Sequence, residues 1–246
     1  IYTATQQVPY YIQLQNGSFE YPDAGTTHIQ IPNDTDGLIW KTTGEGDSNH
    51  QGADIEIAYG TDSPYGAGGA ADGDQFAELN CEAYGALYQD VMTVPGSTLN
   101  WSLAHLARNS SGNRYNRDTM ALVIMPADQA DTVVSQLTAV ANNDRLSNQE
   151  RVRQIQQILA RIDSQDGVYV EDFTSGTRAA EGDWQVYSSD DSEYEPYTVP
   201  EGQYLTRFFF VAVSTGSGYA TVGNLLDDVW FSTHMQPPAD DEARLI

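Results

Sequence analysis

The chain has 246 residues, 40% apolar and 11% aromatic, which is ample for a large folded domain with a real core. Thirty-five acidic residues against eleven basic ones leave a formal charge of −24, and Lys41 is the only lysine. That field repels phosphate backbones and anionic lipid, so it argues against nucleic-acid binding and membrane-surface binding.

The acids are scattered rather than gathered in one run, which reads as a solvated, highly soluble surface; a salt-adapted organism would carry the same bias. Cys81 is the only cysteine, so no internal disulfide can form. It follows the alternating run Phe76-Ala77-Glu78-Leu79-Asn80, with no histidine nearby, and is expected to be a small buried residue rather than a nucleophile. No stretch approaches the roughly 18 apolar residues of a membrane helix, so membrane insertion is not expected. The first residue is not Met and no signal-like run is present, so the chain reads as a trimmed or mature fragment. Asn-x-Ser/Thr triplets begin at Asn16, Asn33, Asn100 and Asn109 and carry meaning only in a secreting eukaryote.

From Tyr10 to about Met125 short apolar or alternating runs are broken by Gly, Asn, Asp and Pro, which predicts strands. They are placed at 12–14, 39–42, 55–58, 75–81, 86–91, 98–107 and 120–125. Residues 66–73 form a Gly/Ala/Asp-rich loop. It lacks the helix context and the Lys of a phosphate loop, so nucleotide binding is not expected. Residues 127–165 then hold no Gly, Pro or aromatic residue. Val133, Leu137 and Val140, flanked by Val134 and Ala141, make one helical stripe. Val152, Ile155, Ile158, Leu159 and Ile162 make a second. Ser147-Asn148-Gln149-Glu150 is a capping box for the second helix, and Gly167 is placed to end it. The pattern predicts a helical hairpin, about 127–166, inserted between strands with its stripes facing the core.

Strands resume at 168–173, 184–187, 197–199, 205–214 and 223–231. The run Phe208-Phe209-Phe210-Val211-Ala212-Val213 is apolar on both faces, as in a central strand covered on both sides. The chain therefore reads as mostly β, a jelly-roll β-sandwich with an inserted helical hairpin. Its expected organisation is one sandwich domain over 1–233, then a linker or tail at 234–246 leading to a further module.

Two end segments set acids beside strand-like residues: Asn16-Gly17-Ser18-Phe19-Glu20 and Leu225-Leu226-Asp227-Asp228-Val229-Trp230-Phe231. If the fold joins them, the first and last strands can share a cation. By alternation Asp227, Val229 and Phe231 lie on one face, so Asp227 would be an inward carboxylate in need of a partner. Glu20, Asp227 and Asp228 are thus the candidate metal ligands, suited to an oxygen-seeking ion such as calcium. The alternative is that the two aspartates cap a turn.

These end motifs, with Asp72–Asn80, Gly85–Val91, Val94–Ser102 and Asp118–Ile124 in order between them, resemble the galactose-binding-like jelly-roll superfamily. Many carbohydrate-binding modules and bacterial surface-protein domains belong to it. The likeness spans most of residues 14–232, and the helical insert looks like a variant found in large secreted proteins of gut-type bacteria. The resemblance implies a structural calcium at the two end motifs and a binding role rather than catalysis.

The ligand surface is sought on Asn100–Arg108, where Trp101, Leu103 and His105 alternate onto one face and Arg108 follows. With Glu78 and Asn80 on a neighbouring strand, this is chemistry that recognises sugar: CH faces stack on the indole and hydroxyls bond the polar groups. The alternative places Trp101 and Leu103 in the core, with His105 a satisfied edge residue. The acidic, Tyr-bearing segment 188–197 is a possible protein-contact surface. For catalysis, Glu56 and Glu78 are the strand-borne carboxylates that can approach each other. No nucleophile elbow or metal-binding histidine spacing is present, and His28, His50, His105 and His234 are scattered, so an enzyme is not expected. The reading is an extracellular or cell-surface bacterial binding module, part of a larger protein, that recognises a glycan and holds calcium. The alternatives are an adhesin domain gripping a host surface protein, or a structural spacer.

Overall fold

The computed structural model describes residues 14–44, 54–61, 65–109, 116–178 and 183–232. Residues 12–13, His50 and the 234–246 tail lie outside these. The elements in chain order are β1 (His28–Pro32), β2 (Lys41–Thr42), β3 (Asp54–Tyr59), β4 (Gln75–Glu78), β5 (Ala86–Met92), β6 (Thr98–Leu106) and β7 (Arg117–Pro126). Then come α1 (Ala127–Ala141), α2 (Asn148–Asp163), β8 (Tyr169–Gly176), β9 (Gln185–Ser188), β10 (Tyr197–Thr198), β11 (Leu205–Ser214) and β12 (Leu225–Ser232). Two antiparallel sheets result. A seven-stranded sheet runs β1-β3-β4-β12-β6-β10 with β9 also on β6, and a five-stranded sheet runs β2-β5-β11-β7-β8. The molecule is a jelly-roll β-sandwich with a helical insert.

The core lies between the sheets. Phe208 of β11 meets Phe231 of β12 with ring centroids 4.0 Å apart, Trp40 meets Phe210 at 5.7 Å, and Trp101 meets Phe173 at 5.6 Å. Phe19 stacks on Trp40 at 5.3 Å and is fully buried, so the N-terminal motif plugs one end of the core. On β11, Phe208 and Phe210 face inward, and alternation sends Arg207, Phe209 and Val211 to the outer face.

That outer face is roofed by the hairpin, which joins the neighbouring strands β7 and β8. Val133, Leu137, Val140, Ile155, Ile158, Leu159 and Ile162 are buried and belong to the main core cluster. The Ser147–Glu150 capping box is formed. α2 stops at Asp163, earlier than a Gly167 cap implies; Gly167 instead takes φ 75° in the turn that follows. β1 is a strand that the sequence pattern did not single out: it is short, ends in Pro, and pairs only with β3.

The outer face of the seven-stranded sheet is covered differently. Tyr65, Ala67 and Ala70 come from the Gly-rich segment 65–74. Together with Trp184 they pack on Ala58, Phe76, Ala104, Leu106 and Leu225. This strap is tied down by side chains, because Trp184 Nε1 donates to the Gly69 carbonyl at 3.0 Å.

Candidate functional site

The two end motifs do meet. Val229 N donates to the Gly17 carbonyl at 3.0 Å, and a Cβ at Gly17 would collide with the Val229 carbonyl, so only glycine allows this approach. Both motifs grip the strap. Glu20 Oε1 accepts from Asp74 N and Gln75 N, each at 2.8 Å. Asp227 Oδ2 accepts from Ala71 N at 2.7 Å and Asp72 N at 3.0 Å, and Oδ1 from Asp228 N at 2.7 Å.

Asp227 is not on the inward face with Val229 and Phe231. The register of β12 on β6 slips between Asp227 and Trp230, with Asp228 at φ 46°. This bulge breaks the alternation, and Asp227, opposite Ala104, lies outward beneath the strap. Burial pushes its carboxyl up to about 8 against the three N–H donors, and Asp228 adds to the rise. Asp228 is raised as well, by burial and then by Asp72. Among the described residues no group of three or more His, Cys, Asp or Glu side chains is arranged to hold a metal. Two carboxylate neighbours are nonetheless present, since Asp228 acts on Asp227 and Asp72 on Asp228, and carboxylate oxygens are what a hard cation takes.

The five expected ligand residues divide between two buried networks and the core. Glu78 is opposite Glu56 in the β3–β4 register, and both are buried on the outer face under the strap. Glu78 forms an ion pair with Arg108 and accepts from Gly223 N at 2.8 Å. Tyr65 donates to Glu56, and the Arg108 guanidinium lies 4.2 Å over the Tyr65 ring. Burial, then the Glu56 charge, pushes the Glu78 carboxyl well up, opposed by Arg108. The two carboxylates that sequence placed on separate strands are therefore neighbours, sealed from solvent. Cys81 is buried, as expected, and burial pushes its thiol up.

His105 is buried at the other side of the sheet. Its Nδ1 is 2.9 Å from Ser175 Oγ and its Nε2 3.0 Å from Asn224 Oδ1. Asn224 Nδ2 donates to Asn80 Oδ1 at 2.9 Å, and Asn80 Nδ2 to the Ala220 carbonyl at 2.8 Å. Desolvation lowers His105 to about 4, so the ring is neutral near pH 7. Trp101 is 1% exposed; Phe173, Tyr169 and Tyr194 surround it, and Nε1 donates to the Glu195 carbonyl at 3.1 Å. The open platform expected of Glu78, Asn80, Trp101, His105 and Arg108 is thus not formed, because the indole faces the opposite sheet and the polar groups are buried, Glu78 with Arg108 and Asn80 and His105 with Asn224. Asp118, which sequence reasoning did not single out, organises this end: it accepts from the backbone N–H groups of Arg108, Asn224 and Gly216.

Openness appears elsewhere, at the start of α1. A cleft of about 680 Å³ lies between α1, the Asp166–Gly167 turn and the 200–205 turn. At its back Arg207 holds Asp90 through two bonds of 2.6 and 2.8 Å, and Asp131 of α1 at 2.7 Å. This fork pins the hairpin to the sheet and spends the charge of Arg207. Tyr204 lines the cleft and is 68% exposed. Leu205 lies beside it, opposite Met92 in the β5–β11 register. Tyr204 and Leu205 line the cleft and, with Met92 opposite Leu205, are three of the seven exposed large apolar side chains among the described residues. The sequence signal was the Pro200-Glu201-Gly202-Gln203-Tyr204 turn, with Gly202 at φ 84°; it lies between two predicted strands, where an exposed aromatic is easily passed over.

No family model matches the chain, and no curated protein matches it. Among solved structures, the chain is similar to a CBM4 structure at 14% identity, covering 89% of this chain and 98% of that one, with a TM-score of 0.41. It is similar to TmCBM61 in complex with beta-1,4-galactotriose at 12% identity, covering 89% and 95%, with a TM-score of 0.43. It is also similar to the xylan-binding domain from CBM 22 at 12% identity, covering 88% and 100%, with a TM-score of 0.40.

Proposed function

We propose that the chain is a non-catalytic carbohydrate-binding module whose ligand seats in the cleft beside α1. The observation that carries this is the exposed Tyr204 ring at the edge of a roomy cleft whose polar wall, Asp90–Arg207–Asp131, is joined through the Arg207 fork. A sugar offers an apolar CH face for the ring and hydroxyls for the carboxylates that Arg207 bridges. The burial of Glu56 and Glu78 favours binding over hydrolysis, since a glycosidase pair must reach the scissile bond. An extracellular setting in a larger bacterial surface protein belongs to the same proposal, because polymeric glycan is met there.

A glycan array followed by calorimetry tests it. Binding is expected, and Tyr204→Ala should weaken it about tenfold or more, the worth of roughly 1.4 kcal/mol. A complete absence of glycan binding, or full affinity in that variant, would overturn the assignment.

A structural calcium at the junction of the two end motifs is a second part of the proposal. Glu20, Asp227 and Asp228 would hold it, with backbone carbonyls completing the six to eight oxygens that calcium takes. When bound, the ion supplies the positive charge that neutralises the buried Asp227. Calcium should raise the melting temperature and chelation should lower it; a melting temperature indifferent to both would retire the ion.

A further inference from the structure

The hairpin differs in charge from the rest of the chain. Residues 127–166 carry six acids and four arginines, against 29 acids and seven basic residues elsewhere. The six acids lie toward the ends of the helices and in their connection. Residues 132–143 and 151–162 contain none, while the second stretch holds Arg151, Arg153 and Arg161. Two depressions open on the solvent side of the hairpin. The first, of about 420 Å³, has Val140 and Ile158 in its lining, with Arg153, Arg161, Gln136 and Gln157 around them. The second, of about 580 Å³, borders it at Ala139 and Asn143 and is lined by Val134, Ser135, Thr138 and Asn142 as well. Neither has an acidic residue in its lining. The cleft at the start of α1, by contrast, is lined by five acids.

Arg153 and Arg161 are exposed, and the described ion pairs engage neither. Glu150, one turn before Arg153, is occupied by the Ser147 capping box. A chain of charge −24 repels an acidic partner over most of its surface, and such repulsion selects against wrong orientations. A strip whose two depressions have no acid in their lining, and which bears two exposed guanidinium groups with Glu150 acting on Arg153, is where that repulsion reverses.

We propose that this strip docks an acidic, extended protein segment, independently of glycan binding. Arg153 and Arg161 are eight residues apart, about 12 Å along the helix at 1.5 Å per residue. Carboxylates four residues apart in an extended segment are separated by roughly 13 Å. Gln136, Gln157 and Asn143 both donate and accept, which suits the alternating N–H and C=O groups of a peptide better than the sulfate groups of a sulfated polymer, which only accept. Val140 and Ile158, buried below, floor the first depression.

Fluorescence anisotropy of the whole chain with labelled peptides tests this. The probes are acidic peptides with two glutamates three, four or five residues apart around a leucine, their lysine counterparts, and a sulfated oligosaccharide. The four-spaced acidic peptide should bind, and its affinity should fall as salt rises. Arg153→Glu with Arg161→Glu should cost at least tenfold, and Arg153→Gln with Arg161→Gln several-fold, with the far-ultraviolet dichroism unchanged. The proposal is overturned if no acidic peptide binds, if the lysine peptides bind equally, if the variants keep full affinity, or if only the sulfated oligosaccharide binds.

Discussion

The two sheets hide their outer faces by opposite means. The five-stranded sheet is covered by the hairpin through aliphatic contacts from Val133, Leu137, Ile155, Ile158 and Ile162. The seven-stranded sheet is covered by a Gly-rich strap over the neighbouring carboxylates Glu56 and Glu78, with Arg108 and Tyr65 as partners and Glu20 and Asp227 as ties. Apolar burial depends on area and is indifferent to pH. A buried carboxylate layer holds only while each charge has its partner. The first roof is therefore a source of stability, and the second is a place where pH acts.

Removing one partner under the strap should show this most strongly. Arg108→Ala leaves Glu78 buried and unpaired and should cost about 3–5 kcal/mol in urea unfolding, while the double change Arg108→Met with Glu78→Met should recover most of it. A double variant as unstable as the single one would mean that the pair is needed for more than mutual neutralisation. On the other roof, Ile158→Ala or Leu137→Ala should cost about 2–5 kcal/mol through lost contacts and the cavity left behind. That cost should be the same at pH 5 and pH 8; a marked pH dependence would show the two roofs to be coupled.

The titrations come next, and their signs differ. His105 is lowered to about 4, so between roughly pH 6.5 and 4 the unfolded chain takes up a proton that the folded one refuses. Stability from this group falls on acidification through that window. Asp227 is raised to about 8, so its contribution is present at low pH and lost as pH rises toward 8. The two oppose each other between pH 4 and 6.5, and differences against His105→Gln and Asp227→Asn separate them. Calcium should abolish the Asp227 slope, since a bound ion keeps the carboxylate charged. An unchanged slope in saturating calcium would place the ion elsewhere. The smallest effect on stability belongs to Tyr204→Ala, within about 0.5 kcal/mol because the ring is exposed, while glycan affinity falls; a large stability loss would make Tyr204 a structural residue.

Much of the hairpin was legible because helical periodicity and capping are local. Its two stripes, the Ser147–Glu150 box and its insertion between strands all stand in the structure. Most strands were legible for the same reason, as was the double-sided apolar run of β11. The face that each residue takes was not. Trp101 and His105 obey the alternation read from sequence, yet that face is the interior, since polar groups of other strands and loops, Ser175 and Asn224, wait there for the histidine. The face of Asp227 was misread because a single extra residue in β12 inverts the pattern, and the bulge is visible only against the register of β6.

The sequence by itself determined the fold class, the hairpin and the charge, all of which follow from local patterns or composition. Only the tertiary structure decided that Glu56 meets Glu78, that a strap seals them, and that the open cleft forms at Tyr204. These depend on strand order and register, where residues far apart in the chain become neighbours and a one-residue slip exchanges inside for outside.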